Sequence, residues 1–474
     1  MAKVLTPDIC VIGAGSGGLS VAAAAAAFGV KVVLVEKGKM GGDCLNYGCV
    51  PSKALIAAAK HADAMRSGEK FGIARVEPEI DFKAVMRHVK GVIAEIAPTD
   101  SVERFAALGV TVIKAEARFT GRRTLIAGDT EIRARRYVLA TGSSPFVPSI
   151  PGLASIGYLT NETVFDLNRR PGHLIIIGGG PIGIELAQAF RRLGSQVSLI
   201  EAAAVLAKDD PEMVSVVIRK LRDEGVIIRE HTRVTSVERR GKTGVKVLVE
   251  TRSGREEIDG SHLLIATGRV ANTQGLDLKK AHVALDGQAI DVSAMLRTTN
   301  RRIYAIGDVI GAPQFTHLAT YHAKLVLHAL LFRLPAKNRA IIPWVTFTDP
   351  ELAHVGLTET QARGHHGKVR VLRWPYAEND RAQAERKTEG HIKLVAGRNG
   401  SILGVTIAGA NASEMIGLWA LALSKGLGIK DMASTIPPYP TTGEIGKRAA
   451  ITYFAPKARK PLVRGLVRLL QLFG

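Results

Sequence analysis

The run Asp8-Ile9-Cys10-Val11-Ile12-Gly13-Ala14-Gly15-Ser16-Gly17-Gly18 carries an apolar, β-prone segment straight into a glycine-rich turn. Leu19–Phe28 follows with strong helix formers, Gly29 offers a C-terminal cap, and Lys31–Val35 reads as a second strand ending at Glu36. Strand, turn, helix and strand make up a βαβ unit. Gly13 permits the tight turn, Gly15 lets backbone approach a pyrophosphate, and Gly18 lets helix and strand pack closely. A helix that starts there offers free N–H donors and a partial positive charge to phosphates.

The pattern occurs again downstream. Leu174–Ile177 is a strand, Gly178-Gly179-Gly180-Pro181-Ile182-Gly183 the turn and Ile184–Leu193 the helix. Gly194 caps it, and Gln196–Ile200 leads to Glu201. Here Gly178, Gly180 and Gly183 hold the three glycine positions. Two such units imply two nucleotide ligands. A carboxylate at the end of the second strand accepts from a ribose diol but repels a 2′-phosphate. Glu201 is followed by three alanines and no arginine, so NAD(H) is expected over NADP(H) at the second site. The β-rich stretches after the two units contain near-identical strand ends, Leu139-Ala140-Thr141-Gly142 and Ile265-Ala266-Thr267-Gly268.

A chain of 474 residues exceeds one ordinary core and should divide into two to four domains. No apolar stretch approaches the ~20 residues of a spanning helix. Met1–Pro7 lacks the apolar centre of a secretory signal, so a cytoplasmic location is expected. The formal charge is +21, but its 64 basic residues are scattered rather than gathered in a recognition element, and no nucleic-acid partner is expected. Three cysteines are too few for a secreted disulfide scaffold. Cys10 lies in an apolar run and reads as core.

The other two stand in Gly42-Asp43-Cys44-Leu45-Asn46-Tyr47-Gly48-Cys49-Val50-Pro51-Ser52-Lys53. One helical turn between Cys44 and Cys49 would bring the sulfurs into bonding range. A structural zinc site needs about four ligands and there is no second cysteine pair, so no metal site is expected. A thiolate near a helix start is stabilised by the dipole and exchanges readily. A redox-active pair is the expectation, with two inert buried thiols as the alternative.

From Asp8 to about Phe454 the chain resembles the pyridine nucleotide-disulfide oxidoreductases, the class I flavoprotein disulfide reductases that include glutathione reductase, lipoamide dehydrogenase and mercuric reductase. The segment Cys44–Lys53 carries the resemblance most specifically. It implies an α/β fold with two Rossmann-like dinucleotide-binding domains and a C-terminal α+β dimerisation domain. The expected division is 1–155 with 270–338 for FAD, 156–269 for NAD and 339–474 for dimerisation. Gly13, Gly15, Gly18 and Glu36 would bind FAD, together with Lys53, Thr141 and Gly142. Asp308 of Ile303-Tyr304-Ala305-Ile306-Gly307-Asp308 would join them, as would Ala319 of Thr316-His317-Leu318-Ala319. Gly178, Gly180, Gly183, Glu201 and Gly268 would bind NAD. The resemblance makes Cys49 the thiol that faces the flavin and Cys44 the interchange thiol, and it pairs Lys53 with Glu185. A homodimer is implied, each active site completed by the partner.

Disulfide-reducing members carry His-Pro and then a glutamate near the C-terminus. The corresponding run here is Pro438-Tyr439-Pro440-Thr441-Thr442-Gly443-Glu444, with tyrosine in place of histidine. A phenol of reference pKa about 10 is a poor base at neutral pH. Mercuric reductases also place a tyrosine in this region, yet the chain ends without their vicinal cysteine pair. It also lacks their cysteine-bearing N-terminal domain. Tyr439 and Glu444 are therefore candidate catalytic residues, with Thr441-x-x-Glu444 as a capping box the bland alternative for Glu444. The expected acceptor is a thiol-binding metal ion such as Hg(II) or a small disulfide. Dihydrolipoyl dehydrogenase activity is the runner-up, and a docked flavoprotein with weak turnover is the alternative of another class. In the tail, helical spacing puts Leu462, Val463, Leu466, Val467, Leu470 and Phe473 on one face, opposite Arg464 and Arg468. Residues 457–474 could then lie on a membrane surface or pack on the dimer.

Overall fold

A computed structural model describes residues 3–241, 244–311, 313–458 and 460–473. Its first centre is a five-stranded parallel sheet, in the order Ile303–Ala305, Arg136–Leu139, Ile9–Ile12, Val32–Glu36, Thr111–Lys114. Ile9–Ile12 is buried along its whole length, as expected for a central parallel strand covered on both faces. Cys10 lies fully inside this core, and burial pushes its thiol pKa up. A four-stranded sheet of Lys3–Leu5, Thr130–Ile132, Thr124–Ala127 and Ala117–Gly121 covers one side.

The second centre is a four-stranded parallel sheet, ordered Ile227–Arg229, Gln196–Ile200, His173–Ile177, His262–Ile265. Beside it stands the antiparallel meander Arg233–Arg240, Gly244–Thr251, Gly254–Gly260. A third, antiparallel five-stranded sheet runs Trp344–Thr346, Glu351–Gly356, Ile402–Gly409, His391–Ala396, Arg370–Pro375. The helices Ala412–Lys425 and Glu444–Thr452 cover it, and Trp419 and Ile445 are buried in its core.

Buried ion clusters join these units. The Arg192 guanidinium, on the helix Pro181–Arg192, reaches Glu224 at 2.6 Å, Asp349 at 2.9 Å and Asp63 at 3.4 Å. Those carboxylates come from the second unit, the third unit and the helix Cys49–Arg66 of the first. Lys393 Nζ, in the third sheet, lies 2.7 Å from Asp210 and 2.8 Å from both Glu212 and Glu359. A buried cation is tolerated when carboxylates surround it in this way.

Two local expectations need correction. The cysteines do not share one helical turn. Cys44 sits in the short helix Gly42–Asn46 and Cys49 opens the helix Cys49–Arg66, with the chain broken between them at Tyr47 and Gly48. Nor is Thr441-x-x-Glu444 a capping box. The helix starts at Glu444 with Gly443 as its N-cap and no side-chain cap, and the Thr441 hydroxyl donates to the Pro438 carbonyl instead. A capping box does form at Thr358 and Gln361, at the start of Glu359–His366. The tail forms the helix Pro461–Leu470 with no buried residue.

Candidate active site

The two glycine loops are built alike. A Cβ on Gly13 would run into the carbonyl of Ala140, and one on Gly178 into that of Ala266. The near-identical strand ends thus lie directly under the two turns. Gly13 and Gly178 also have φ of 104° and 117°, a region that strains any other residue. Each loop is held by its acidic residue. Glu36 accepts from Ala14 N at 2.6 Å and Gly38 N at 2.6 Å, and Glu201 accepts from Gly179 N at 2.7 Å and Ala203 N at 2.9 Å.

The helices Ser16–Ala27 and Pro181–Arg192 begin at Gly15 and Gly180, and neither N-cap carries a side-chain acceptor. By contrast, Asp81, Asp210, Thr358 and Asn379 all cap their helices with side chains. First-turn amides are left open at the two places where a phosphate would need them. The space is open as well: nothing lies within 4 Å of a Cβ on Gly180, and one on Gly15 meets only the Gly42 Cα, at 3.9 Å. The residues present therefore fit two dinucleotides.

Around the first loop, Thr141 Oγ1 donates to Asn272 O at 2.7 Å, and Gly142 has φ of 69°. Gly268 stands at the matching turn of the second unit, with φ of 129°. Asp308 accepts from Ser143 Oγ at 2.6 Å and lies 4.0 Å from Arg269, while burial pushes its carboxyl above the usual range. Ala319 packs where a Cβ on Gly17 or Gly307 would come within 3.3 or 3.1 Å of it.

Cys44 and Cys49 are both free thiols. The Cys44 S–H donates to Cys49, which lowers the Cys49 pKa to about 6 and raises that of Cys44. Thr316 Oγ1 lies 3.5 Å from the Cys49 sulfur and helps to hold it ionised, as does the Lys53 ammonium. Cys49 also occupies the first position of its helix, where the dipole favours an anion. Lys53 Nζ donates to Glu185 Oε2 at 2.8 Å and stands 4.3 Å from the centre of the Phe347 ring. The other Glu185 oxygen accepts from Phe347 N at 2.9 Å. Cys44, Cys49, Lys53 and Glu185 are thus brought together.

Tyr439 and Glu444 are not brought to the thiols within one chain. The exposed Tyr439 hydroxyl donates to Asp380 Oδ2 at 2.8 Å, and Glu444 reaches Arg448 at 3.9 Å. Asp380 raises the phenol pKa. Asn379 Nδ2 donates to Thr441 O at 3.0 Å, so residues 379 and 380 together hold the tyrosine loop. Sequence reasoning did not find Asp380. It also missed Arg269, which lies 3.1 Å from Asp43 and donates to Ser143 Oγ at 2.7 Å, and so ties the residue before Cys44 to the Asp308 cluster.

Two dinucleotide cradles and an ionisable cysteine pair define a flavin- and nicotinamide-linked disulfide oxidoreductase. Comparison with known proteins gives the same class. Residues 7–323 match the family model "Pyridine nucleotide-disulphide oxidoreductase", and residues 342–450 match the dimerisation domain of that family. The chain belongs to the pyridine nucleotide-disulphide oxidoreductases. It is 36% identical over 462 residues to a mercuric reductase of Streptomyces lividans, covering 95% of this chain and 97% of that one. A dihydrolipoyl dehydrogenase of Geobacillus stearothermophilus is 35% identical over 452 residues, covering 94% and 95%. Among solved structures, the Cu(II) complex of the HOCl-induced flavoprotein disulfide reductase RclA from Escherichia coli superposes with a TM-score of 0.85. It is 28% identical, over 95% of this chain and all of that one. The family implies FAD and a pyridine nucleotide as cofactors, and the matched dimerisation domain implies a homodimer. No helix among the described residues is long and apolar enough to cross a membrane.

Proposed function

We propose that this oxidoreductase passes electrons from NADH through FAD and the Cys44–Cys49 pair to a soft, thiol-binding metal ion such as Hg(II). The observation that carries this choice is Tyr439 at the position expected for the acid-base histidine, together with the protonated Cys44 that such a base would have to serve. The hydrogen bond between the two thiols favours Cys49 as the thiolate, and that bond, burial and the neighbouring charge all raise the Cys44 pKa, so Cys44 holds its proton. Among the described residues no histidine is a charge or hydrogen-bond neighbour of either thiol, and the position expected for the acid-base histidine holds Tyr439. Exchange with a disulfide needs a base to take the Cys44 proton and an acid to return one. Coordination to a soft cation expels a thiol proton without a base.

When bound, FAD would accept a hydride equivalent from the nicotinamide and deliver the electron pair to the disulfide. The chain's own residues do the rest. Gly13, Gly15, Gly18 and Glu36 would hold the first nucleotide, with Thr141, Gly142, Asp308 and Ala319 beside it. Gly178, Gly180, Gly183, Glu201 and Gly268 would hold the second. The absence of a cation near Glu201 in the sequence favours NAD(H) over NADP(H). Lys53, fixed by Glu185, keeps a positive charge beside the Cys49 thiolate. Cys44 would meet the acceptor, with Tyr439 and Glu444 contributed by the partner subunit.

The division into 1–155 with 270–338, 156–269 and 339–474 belongs to this proposal, supported by the grouping of strands into three main sheets, as does a cytoplasmic location. A homodimer built on the third unit is supported by its exposed apolar side chains, Leu418, Leu421, Ile436 and Ile451. The test is steady-state NADH oxidation with lipoamide, glutathione disulfide or Hg(II) in excess thiol, each compared with Cys44→Ser. Turnover confined to the metal ion and lost in Cys44→Ser is expected. Brisk, Cys44-dependent lipoamide turnover would instead make this a dihydrolipoyl dehydrogenase with a replaced acid-base group.

A further inference from the structure

From Ile445 to the C-terminus the chain has seven lysines and arginines and no aspartate or glutamate. Within that stretch the helix Pro461–Leu470 stands off the rest of the protein, and none of its residues is buried. At 100° per residue, Leu462, Val463, Leu466, Val467, Leu470 and Phe473 share one face, while Arg464 and Arg468 lie opposite. Leu462 is 88% exposed and Phe473 81%, so the apolar face is uncovered among the described residues. An isolated helix of this length is marginal in water, and an exposed apolar face of this size calls for a cover.

Charge decides between the candidate covers. A second copy of the chain brings the same +21 and the same basic tail, so placing the tails on each other sets like charges together. An anionic bilayer supplies both missing components: an acyl boundary for the leucine face and headgroup charge for Lys460, Arg464 and Arg468.

We propose that residues 460–473 form an in-plane anchor that docks the dimer onto an anionic lipid surface, with the leucine face in the acyl boundary and the two arginines among the headgroups. The two tails of a dimer would engage together. Each would raise the effective concentration of the other at the surface, so that two short helices hold what one alone would release.

The experiment is co-sedimentation of the full-length, flavin-loaded dimer with vesicles. One set is pure phosphatidylcholine, and the other is three parts phosphatidylcholine to one part phosphatidylglycerol. The parent protein is expected to pellet with the anionic vesicles only, and to be released as salt rises through the physiological range. Leu466→Asp/Leu470→Asp should cut the bound fraction by about ten-fold or more, and Arg464→Gln/Arg468→Gln should move release to lower salt. Flavin content and NADH oxidation in solution should be unchanged in both variants, which shows that the fold is intact. Failure of the parent to pellet, equal recovery on neutral vesicles, or unchanged pelleting of the aspartate variant would overturn the anchor. A drop in the oligomeric mass of the aspartate variant by light scattering would also overturn it, because the tail would then be packing on a second copy.

Discussion

Ionisation of Cys49 can be measured one thiol at a time, and Cys44→Ala is the perturbation that isolates its cause. The hydrogen bond from Cys44 is the largest influence bringing Cys49 to about 6. At pH 7 such a thiol is about nine-tenths thiolate, whereas one at the free value of about 8.5 is only about 3% ionised. Nucleophilicity per thiolate falls by about ten-fold over that interval, for a Brønsted slope of about 0.4–0.5. The two effects nearly cancel at neutral pH and leave Cys49 about two- to three-fold faster than an ordinary thiol. Near pH 6 its advantage widens to about ten-fold, and near pH 9 it reverses to about a tenth. The diagnostic is therefore the shape of the pH profile rather than any single rate. Iodoacetamide alkylation of the reduced, flavin-loaded protein, with sites assigned by peptide mass spectrometry, records that profile. Cys10 is buried and should stay silent. In Cys44→Ala the midpoint should climb above about 7, because burial and Asp43 still oppose ionisation while the main donor is gone. A midpoint at the free-thiol value in the parent, or an unmoved midpoint in Cys44→Ala, would refute the reasoning.

Three further outcomes are expected. Lys53→Met should lower stability by about 1–3 kcal/mol in urea unfolding, less than a fully buried pair would lose, because the Lys53 side chain is 36% exposed. Lys393→Met leaves Asp210, Glu212 and Glu359 without their shared cation and should cost about 3–5 kcal/mol by the same measurement. In the parent, Arg373 first and then Lys393 hold the Glu212 carboxyl below its usual range, and Lys393 holds Glu359 below its own. Their stabilisation is present above about pH 4.3 and disappears as pH falls through the lower folded values, so acid unfolding should be steeper in the parent than in Lys393→Met. Asp380→Asn should bring the Tyr439 phenol back down toward its ordinary pKa, read as a difference titration against Tyr439→Phe, and should lower kcat/KM for the metal ion. An unchanged phenol titration would remove Asp380 from the site.

Much of the fold could be read from residues close together in sequence. Gly13 and Gly178 each demanded a turn, and the matching strand ends at Ala140 and Ala266 proved to be the surfaces those turns rest on. The contacts that tune the site were far less visible. Thr316 lies 267 residues from Cys49, and Asp380 lies 59 residues from Tyr439. Neither segment has a composition that points to the other, since a single threonine or aspartate fits countless surface roles. Lys53 and Glu185, 132 residues apart, could be paired only through the family resemblance. Local pattern also misled. Thr441-x-x-Glu444 matches a capping box, but the Thr441 hydroxyl is taken by Pro438 and the helix opens only at Glu444. The spacing of the cysteines hid the break at Gly48, whose backbone angles of −121° and −107° lie outside the helical range.

The ion clusters at Arg192 and Lys393 also bear on turnover. Prying the nucleotide unit away from its neighbours would strip several carboxylates of their buried cations at once, an opening that costs several kcal/mol for each cluster. Hinge motion of whole domains is therefore an expensive route for admitting or releasing a coenzyme. The two clusters thus favour units that stay assembled through turnover. Coenzyme exchange that leaves both clusters intact needs only small surface elements to move, and removing either cluster should loosen the way the units are held together.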